Sequence, residues 1–421
     1  MISKVIVAHP DKQHSFRLAT ALKQKGILYK YVTTIYDRPS SLTNRIKKLL
    51  RGKNLKKASS RSCSNLDNVD VVQYLEWLNL IIVFIARFPF LSSICIKLKF
   101  LLYENFGIKV AKYAIRHNVD VVVMYDSTAS SCFEYLAKHA PNITRVLDTS
   151  TVAHDFMRDT FDRMIEMTRD YTIHEEYPYL WNEKIMNKYL KEIELSNNFL
   201  VPSEIVKHSL IYKGKTNIEK IFKVPYGVDT TKFVCPTEKK KNNKLKILFV
   251  GQVTCRKGIN ILMKAIERFS NHEVELFIAG GFNHNSTWYV NYAERENIHY
   301  LGFVTRDVIS DLFASVDVFV LPSFAEGLAL VGLEAMSCGL PIICSQFSGV
   351  NDLIEEKSNG LIIDVFDVDS LYNAIKYFIN IDSKEYRKMS LNARRIADAY
   401  TWNNYEIHIN EVFNGMNFDQ K

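Results

Sequence analysis

Short apolar runs rich in valine and isoleucine recur along the chain, and each is followed by a longer stretch with helical spacing. This alternation is typical of parallel sheets covered by helices. One series of predicted strands comprises 4–8, 119–125, 145–147 and a strand that ends near Leu200 and Val201. A second series comprises 247–250, 274–279, 299–303, 318–321, 341–344 and 361–363. We therefore predict an α/β protein with two Rossmann-like, doubly wound domains that face each other across a cleft.

A polar, lysine-rich stretch at 236–244 separates the two series and marks the predicted domain boundary. The predicted domains are 1–235 and 236–395, followed by a C-terminal segment, 396–421. Residues 40–110 do not follow the strand and helix rhythm, so we interpret them as an insertion with a basic run and then an apolar run, 78–100. Charged residues and a proline interrupt that apolar run before the ~20 residues needed to cross a bilayer. No transmembrane helix is predicted.

Two glutamates, Glu326 and Glu334, are separated by seven residues at a predicted strand end. Glu326 lies in a loop after the strand at 318–321, and Glu334 lies in the next predicted helix, so both can face one ligand beyond the sheet. A carboxylate can accept two hydrogen bonds from sugar hydroxyls. The alternative is a helix cap at Glu326 and a solvated helix residue at Glu334. The backbone N–H groups at the predicted helix start suit a diphosphate, and they belong to Gly327, Leu328, Ala329 and Leu330.

A second motif, 251–258, follows the strand at 247–250 and contains two adjacent cations, Arg256 and Lys257. Cations at a strand end can neutralise the charge that develops on a diphosphate leaving group. The alternative is an ordinary basic turn on the surface.

Together, the two-glutamate motif, the 251–258 loop and the segments 226–233, 302–304 and 359–362 resemble glycosyltransferase family 4. The resemblance covers residues from about 200 to 410 in order. Members of that family are retaining enzymes of GT-B architecture, related to glycogen and sucrose synthases. The resemblance implies an acceptor-side N-terminal domain, a C-terminal domain that binds a nucleoside-diphosphate sugar, and a closing helix that returns from Thr401 to the first domain.

The resemblance also implies a role for each matching residue. Glu334 would bind the ribose hydroxyls, Glu326 the transferred sugar, Lys257 the diphosphate, and the backbone near Val304 the base. Gly251 and Arg256 are further predicted donor-binding residues. The expected reaction moves a hexose with retention to a glycan or lipid-linked glycan, in surface polysaccharide or glycoconjugate assembly. The departing phosphate would accept the acceptor's proton, so no general base is required.

Two positions depart from the family pattern. Gln252 stands where the family often has arginine, and Arg256 is expected to supply the missing charge. Ala329 stands where glycine is common, and alanine keeps the backbone N–H. Two alternatives remain. The first is a non-catalytic relative that binds a nucleotide sugar, and the departure at Gln252 is the observation that suggests it. The second is a nucleotide-sugar epimerase of similar fold.

Several candidate cleft residues follow strands of the first domain. We predict His154 as a catalytic residue, because it follows the strand at 145–147, where many family members place an active-site histidine. The predicted acceptor or cleft residues are His9, Gln13, His14, Asp126 and Asp148. For the residues at 9–15 the alternative is a turn with surface histidines.

No metal or other cofactor is predicted. Asp367 and Asp369 could be mistaken for a metal-binding motif, but aspartate is favoured at helix N-caps and a helix follows. The seven scattered cysteines form no CxxC pair, which predicts free thiols in a reducing compartment. No leader precedes the first strand, so we expect a cytoplasmic protein that lies at the inner face of the membrane if it meets one.

The net charge of +8 is concentrated in a run at 45–61 that contains no acidic residue. Leu42, Ile46, Leu49 and Leu50 would share one helical face with cations opposite, which favours an anionic membrane surface as a partner. The run has no aromatic residues to stack on bases, so nucleic acid is not predicted. The alternative is a solvated basic helix.

Overall fold

The computed structural model describes residues 4–11, 14–233, 243–282, 286–292 and 294–416. Within these ranges the first half forms a seven-stranded sheet in the order β3-β2-β1-β4-β5-β6-β7, and every pairing is parallel. Its strands are β1 (Val5–Ala8), β2 (Leu28–Thr33), β3 (Val71–Gln73), β4 (Val121–Tyr125), β5 (Thr144–Asp148), β6 (Asn198–Val201) and β7 (Ile221–Lys223).

The second half forms a six-stranded parallel sheet in the order β10-β9-β8-β11-β12-β13. Its strands are β8 (Leu245–Val250), β9 (Val274–Ala279), β10 (Ile298–Gly302), β11 (Val318–Leu321), β12 (Ile342–Ser345) and β13 (Gly360–Ile363). The central strands are buried along their length, as expected when helices cover both faces of a parallel sheet.

Helices connect the strands of both halves. Those up to β7 are α1 (Ser15–Gln24), α2 (Leu42–Lys47), α3 (Gly52–Ser59), α4 (Glu76–Ile85), α5 (Ser92–Arg116), α6 (Ser130–His139), α7 (His154–Thr168), α8 (Thr172–Glu176), α9 (Glu183–Leu195) and α10 (Glu204–Ile211). The later ones are α11 (Ile259–Ile266), α12 (Thr287–Tyr292), α13 (Arg306–Ser315), α14 (Leu330–Ser337), α15 (Val368–Asn380), α16 (Ser383–Ala399) and α17 (Trp402–Gly415).

The predicted fold class is confirmed, and each predicted strand lies within two residues of an observed one. Strands β2, β3 and β7 were not predicted. The first half of β2 is only partly buried, and β3 and β7 are three-residue strands at the two edges of their sheet, so their apolar patterns are weak. The predicted boundary at 235 and 236 lies outside the described residues, as does the run of lysines at 239–241.

The segment 40–110 differs from the prediction in two respects. It contributes β3, which pairs in parallel with β2 and completes the edge of the first sheet. The predicted continuous amphipathic helix over Leu42 to Leu50 is wrong, because α2 ends at Lys47 and leaves Leu49 and Leu50 beyond it. Gly52 has a φ of +57°, a left-handed conformation that separates α2 from α3.

The last helix packs on the first half of the chain. Lys25 Nζ, just after α1, donates to Asn410 O at 2.7 Å, and the Arg17 guanidinium lies 4.8 Å from the centre of the Trp402 ring. Helix α17 therefore ties the end of the described chain to the N-terminal sheet. The six cysteines within the described ranges are free thiols, as predicted, while Cys235 lies outside them.

Candidate active site

Both sheets reverse strand order at one point, and the candidate residues lie in the loops beyond those points. The order reverses between β1 and β4 in the first sheet and between β8 and β11 in the second. Open α/β sheets bind ligands at such switch points, beyond the carboxyl ends of the strands. Most of the site residues predicted from the sequence lie in the loops after β1, β4, β8 and β11, while Asp148 and His154 lie at or after the end of β5 and Val304 follows β10.

The loops after β8 and β11 are in direct contact at Gly258. A Cβ atom at this residue would lie 1.8 Å from Pro322 O, and its φ of +74° favours glycine. Phe324 N donates to Arg256 O at 2.8 Å, and Arg256 Nη1 donates to Ala325 O at 2.8 Å. This close approach brings together two cations and a glutamate that are about 70 residues apart in sequence.

Arg256, Lys257 and Glu326 form a buried charge cluster. Lys257 Nζ lies 2.6 Å from Glu326 Oε1, Arg256 Nη1 donates to the same oxygen, and the three side chains are only 11% to 18% exposed. Burial disfavours the Glu326 carboxylate, but Lys257 and Arg256 outweigh it and lower the pKa of Glu326. With two cations and one carboxylate, the cluster has an excess of positive charge. This burial and pairing do not fit the alternative of a helix cap at Glu326. They also do not fit the alternative of a basic turn on the surface at Arg256 and Lys257.

A cavity of about 1040 Å³ adjoins this cluster. Gly251, Gln252, Thr254 and Val304 line it, and a Cβ atom on Gly251 would lie 3.7 Å from Lys257 Cε. The Thr254 hydroxyl is buried and has no hydrogen-bond partner among the described residues. The cavity therefore offers space and an unused donor beside a positive cluster.

The sequence did not predict that the first half of the chain closes one side of this cavity. Thr172, Glu175 and Glu176 line it from α8. Arg256 Nε donates to Tyr177 OH at 2.6 Å, and Cys255 Sγ lies 3.0 Å from Thr172 Oγ1. No motif marks 170–177, and only the fold brings this segment to the loop after β8.

The loop after β11 also contacts the first half of the chain. A Cβ atom on Gly327 would lie 1.8 Å from Ser150 O, and Ser203 Oγ donates to Gly327 O at 2.5 Å. Helix α14 starts at Leu330, so Gly327 to Ala329 lead directly into its N-terminus, as predicted, and Glu334 lies in that helix. The two halves of the chain are therefore in direct contact at the residue after Glu326, and we call this contact the narrow part of the cleft.

His14, Asp148 and Tyr125 form a compact group beyond β1, β4 and β5. His14 Nε2 lies 3.2 Å from Asp148 Oδ2, and its ring centre lies 5.2 Å from that of Tyr125. His9 is 3% exposed, and burial lowers the pKa of His9 to about 4. The histidines at 9 and 14 are therefore not on the surface, which contradicts the alternative of a surface turn. Gln13 lies outside the described residues.

Asp126 connects this group to the narrow part of the cleft. Its Oδ1 accepts hydrogen bonds from Ser150 N at 3.0 Å and from Ser150 Oγ at 2.7 Å. Burial raises the pKa of Asp126 to about 6, although the two bonds from Ser150 oppose the shift. Asp126 contacts Ser150, and the Ser150 carbonyl contacts Gly327 in the loop of Glu326.

His154 begins α7 and lies in a separate, deeper group. Its ring stacks on Tyr189 at 3.8 Å, and Nε2 lies 3.4 Å from Ser127 Oγ. Burial, assisted by Lys215, lowers the pKa of His154 to about 3, so the neutral ring is favoured. His154 and Asp126 line the same small cavity, but no described contact joins His154 to the charge cluster. Its predicted catalytic role stays a prediction.

Glu192 is a buried residue that the sequence did not predict. Its carboxylate accepts hydrogen bonds from Ser127 N at 2.8 Å, Ala129 N at 2.8 Å and Ser130 N at 3.0 Å. These donors precede and open α6, so the carboxylate satisfies a helix start that would otherwise be buried without acceptors. Burial raises the pKa of Glu192 to about 8.

Asp367 is the N-cap of α15, because its side chain accepts a hydrogen bond from Asp369 N at 2.9 Å. This confirms the predicted helix cap, and the helix begins at Val368. Among the described residues there is no group of three or more histidine, cysteine, aspartate or glutamate side chains arranged to hold a metal ion.

The two parallel sheets and the cleft between them define the class of protein: this is the GT-B fold of glycosyltransferases. Sucrose-phosphate synthase from Thermosynechococcus elongatus superposes with a TM-score of 0.65 at 14% identity, over 98% of each chain. Residues 235–396 match the family described as glycosyl transferases group 1. The match includes the charge cluster, the cavity loops of the second sheet and both glutamates.

Curated relatives agree with that family. An uncharacterized glycosyltransferase of Methanocaldococcus jannaschii is 30% identical over 240 residues, 52% of this chain and 56% of the relative. The UDP-Gal:alpha-D-GlcNAc-diphosphoundecaprenol alpha-1,3-galactosyltransferase of Escherichia coli is 32% identical over 202 residues, 42% of this chain and 51% of the relative. The chain thus spans about half the length of these relatives.

Proposed function

We propose that this protein is a glycosyltransferase that moves a hexose from a nucleoside-diphosphate sugar to a glycan or lipid-linked glycan. The observation that carries the proposal is the buried cluster of Arg256, Lys257 and Glu326 beside an open cavity at the switch point of the second sheet. A buried excess of positive charge is costly unless an anion joins it. A diphosphate next to a sugar satisfies both the cations and the carboxylate.

The donor is expected to lie along the loops after β8 and β11. Lys257 and Arg256 would hold the diphosphate, assisted by the Thr254 hydroxyl and by backbone N–H groups where α14 begins. Glu326 would release one cation and accept sugar hydroxyls, while Glu334 accepts those of the ribose. The nucleoside would occupy the cavity beside Val304.

In the reaction, the bond between the sugar C1 and the diphosphate oxygen breaks, and a bond from C1 to an acceptor hydroxyl oxygen forms. The acceptor's proton passes to the departing diphosphate, whose charge Lys257 and Arg256 stabilise. We infer retention of configuration from the family resemblance, without a metal or other cofactor. His14, Asp126 and Asp148 line the acceptor side, where a hydroxyl would approach Gly327.

The acceptor class is inferred from the relatives. The name of the Escherichia coli galactosyltransferase specifies a sugar attached to diphosphoundecaprenol, which is a lipid-linked acceptor. We propose an acceptor of this chemistry for the present chain, in the assembly of a surface polysaccharide on the cytoplasmic side of a membrane.

The test is incubation of the purified protein with UDP- and GDP-sugars and an undecaprenyl-diphosphate-linked sugar, with mass spectrometry of the lipid and NMR of the new linkage. A lipid that gains one hexose in the donor's anomeric configuration supports the proposal. A donor that is epimerised without transfer identifies an epimerase instead. A donor that binds but is neither transferred nor slowly hydrolysed identifies a non-catalytic binding protein.

A further inference from the structure

Helix α4, the short helix Pro89–Leu91 and the first half of α5 form an apolar tip at 77–101. Its two helices pack on each other through a small cluster of Leu78, Ile82, Cys95 and Leu102, separate from the two larger cores. Large apolar side chains also lie on its outside. The exposed ones are Trp77, Ile81, Val83, Phe84, Phe88, Phe90, Ile94, Ile96 and Leu101.

The outer stripe of the apolar tip follows helical spacing. Trp77, Ile81 and Phe84 occur at intervals of four and three residues within α4, so they share one face, and Phe88 follows the end of that helix. Phe84 contacts Phe88, which contacts Phe90, with ring centres 5.5 Å and 5.9 Å apart, and Phe90 is 80% exposed. A helix that is apolar on two faces requires a second apolar environment, and a patch of this kind marks an interaction surface.

A basic shelf lies next to the apolar tip, formed by Arg45, Lys48, Arg51 and Lys57 on and between α2 and α3. These side chains are exposed, and residues 38–66 and 77–103 contain no aspartate or glutamate. Glu76, at the start of α4, accepts hydrogen bonds from Thr43 N at 2.8 Å and Thr43 Oγ1 at 2.6 Å. This link fixes α2 against α4, so the shelf and the tip form one surface.

We propose that the apolar tip enters one leaflet of an anionic phospholipid bilayer while the basic shelf binds the headgroups. The uniform positive charge favours a bilayer over a second copy of this chain as the partner. Two copies of this surface would repel each other across a symmetric interface. Anionic headgroups attract each nearby cation, and the aromatic and aliphatic side chains gain by burial in the interface. Lys97 and Lys99 can extend their ammonium groups back to the headgroups.

The length of the tip limits how deeply it enters. Among the described residues no helix combines the length and apolar character needed to cross a bilayer. Arg87, Lys97 and Lys99 interrupt the apolar sequence, which fits shallow insertion at the level of the headgroups and upper acyl chains.

The apolar tip is connected to the loop after β1. Tyr103 OH donates to Asp11 Oδ2 at 2.8 Å, and Asn79 Nδ2 donates to Pro10 O at 3.2 Å. Docking of the tip would thus bring the bilayer to the side of the N-terminal sheet that carries His9 and His14. The membrane contact is inferred from the surface alone and goes beyond the proposed transfer reaction.

The test is flotation of the full chain with vesicles of phosphatidylcholine alone or with roughly 30% phosphatidylglycerol, at low and high salt. We expect binding to the anionic vesicles that weakens at high salt. Replacement of Phe84, Phe88 and Phe90 by glutamine should reduce the partition coefficient at least about tenfold. Replacement of Arg45, Lys48 and Arg51 by glutamine should reduce it by roughly 100-fold at low salt.

Matched controls lie on the opposite half of the chain. Glutamine at exposed Lys264, Lys384 and Lys388 and serine at exposed Leu391 and Ile407 should leave vesicle binding unchanged. Because all of these side chains are exposed, each variant should keep the melting temperature of the parent. Ile94, Ile96 and Leu101 to serine provides a second tip variant if the phenylalanine variant does not fold.

The fluorescence of Trp77 reports whether the apolar tip enters the bilayer. Trp77 is 56% exposed, so bilayer entry should shift its fluorescence to the blue, and Trp77→Phe should remove that change. Absence of binding to anionic vesicles at low salt contradicts membrane docking. So does a dimer in solution that the phenylalanine variant converts to a monomer, since a second copy would then cover the tip. All of these readouts are independent of transferase activity.

Discussion

Lys257 Nζ lies 2.6 Å from Glu326 Oε1, although the two residues come from different loops of the second sheet. Both side chains are nearly buried, so Lys257 without Glu326 would be an unpaired charge in a poorly solvated site, whereas Glu326 without Lys257 would still pair with Arg256. In the proposed donor site, this pair would separate, at least in part, when a diphosphate and a sugar bind. This relationship makes the stability of the site and its function dependent on the same atoms.

We predict strong coupling between these two residues in stability. Glu326→Ala should lower the free energy of unfolding by about 3–5 kcal/mol, because Lys257 and Arg256 stay buried without their partner. Adding Lys257→Ala to it should cost much less than the sum of the two single changes. Urea denaturation of the single and double variants measures the coupling.

An exposed ion pair gives the matched control. Arg395 and Glu355 are 61% and 51% exposed, so Glu355→Ala should cost no more than about 1 kcal/mol. Equal losses for Glu326→Ala and Glu355→Ala would show that the charge cluster is as well solvated as the surface, contrary to the geometry.

The second prediction concerns the narrow part of the cleft. Gly327→Ala would place a Cβ atom 1.8 Å from Ser150 O, so one of the two loops must move. We expect a loss of about 1–3 kcal/mol in stability together with weaker donor binding. Gly415→Ala is the control, because nothing lies within 4 Å of the Cβ atom it would add. Normal stability and donor affinity in Gly327→Ala would contradict the close contact.

The third prediction is a pH dependence that originates at Glu192. Its pKa is raised from 4.5 to about 8 in the folded protein, so between these values the folded state holds a proton that the unfolded state has lost. The contribution of Glu192 to stability is therefore present below about pH 4.5 and decreases as the pH rises to about 8. Glu192→Gln should remove this decrease from the stability profile.

Thermal denaturation of the parent and Glu192→Gln across that range gives the difference in slope. The histidines that titrate below pH 6.5 are common to both proteins and cancel in the difference. Exposed Glu134, replaced by glutamine, should follow the parent. A slope that Glu192→Gln leaves unchanged would mean that the carboxylate is ionised in the folded protein.

The sequence predicted the central strands β11 and β12 well, because each is a short apolar run that is buried along its length. It did not predict β2, whose first three residues are half-buried, or β3, which forms only through pairing with β2. The break after Lys47 was also missed. There the apolar spacing favours a longer helix than the one that forms, which ends at Lys47.

The candidate site also has features that the sequence predicted and features that it did not. Glu326, Arg256 and Lys257 were predicted from their positions at strand ends, since parallel strands present their carboxyl ends at one edge. Their mutual contact and the bond from Arg256 to Tyr177 depend on loops and domains far apart in sequence. For His154, spacing predicted a place after β5, but burial against Tyr189 follows from the packing of α7 on α9.

The most direct test of the account is the binding of a nucleotide sugar that depends on Lys257. A panel of UDP- and GDP-sugars should contain a donor that raises the melting temperature of the parent protein by mass action. Lys257→Ala should lose most of that shift, because it removes a buried cation from the diphosphate site, while exposed Lys264→Ala should keep it. If no nucleotide sugar in the panel stabilises the parent, or if Lys257→Ala retains the full shift, the proposed donor site is contradicted.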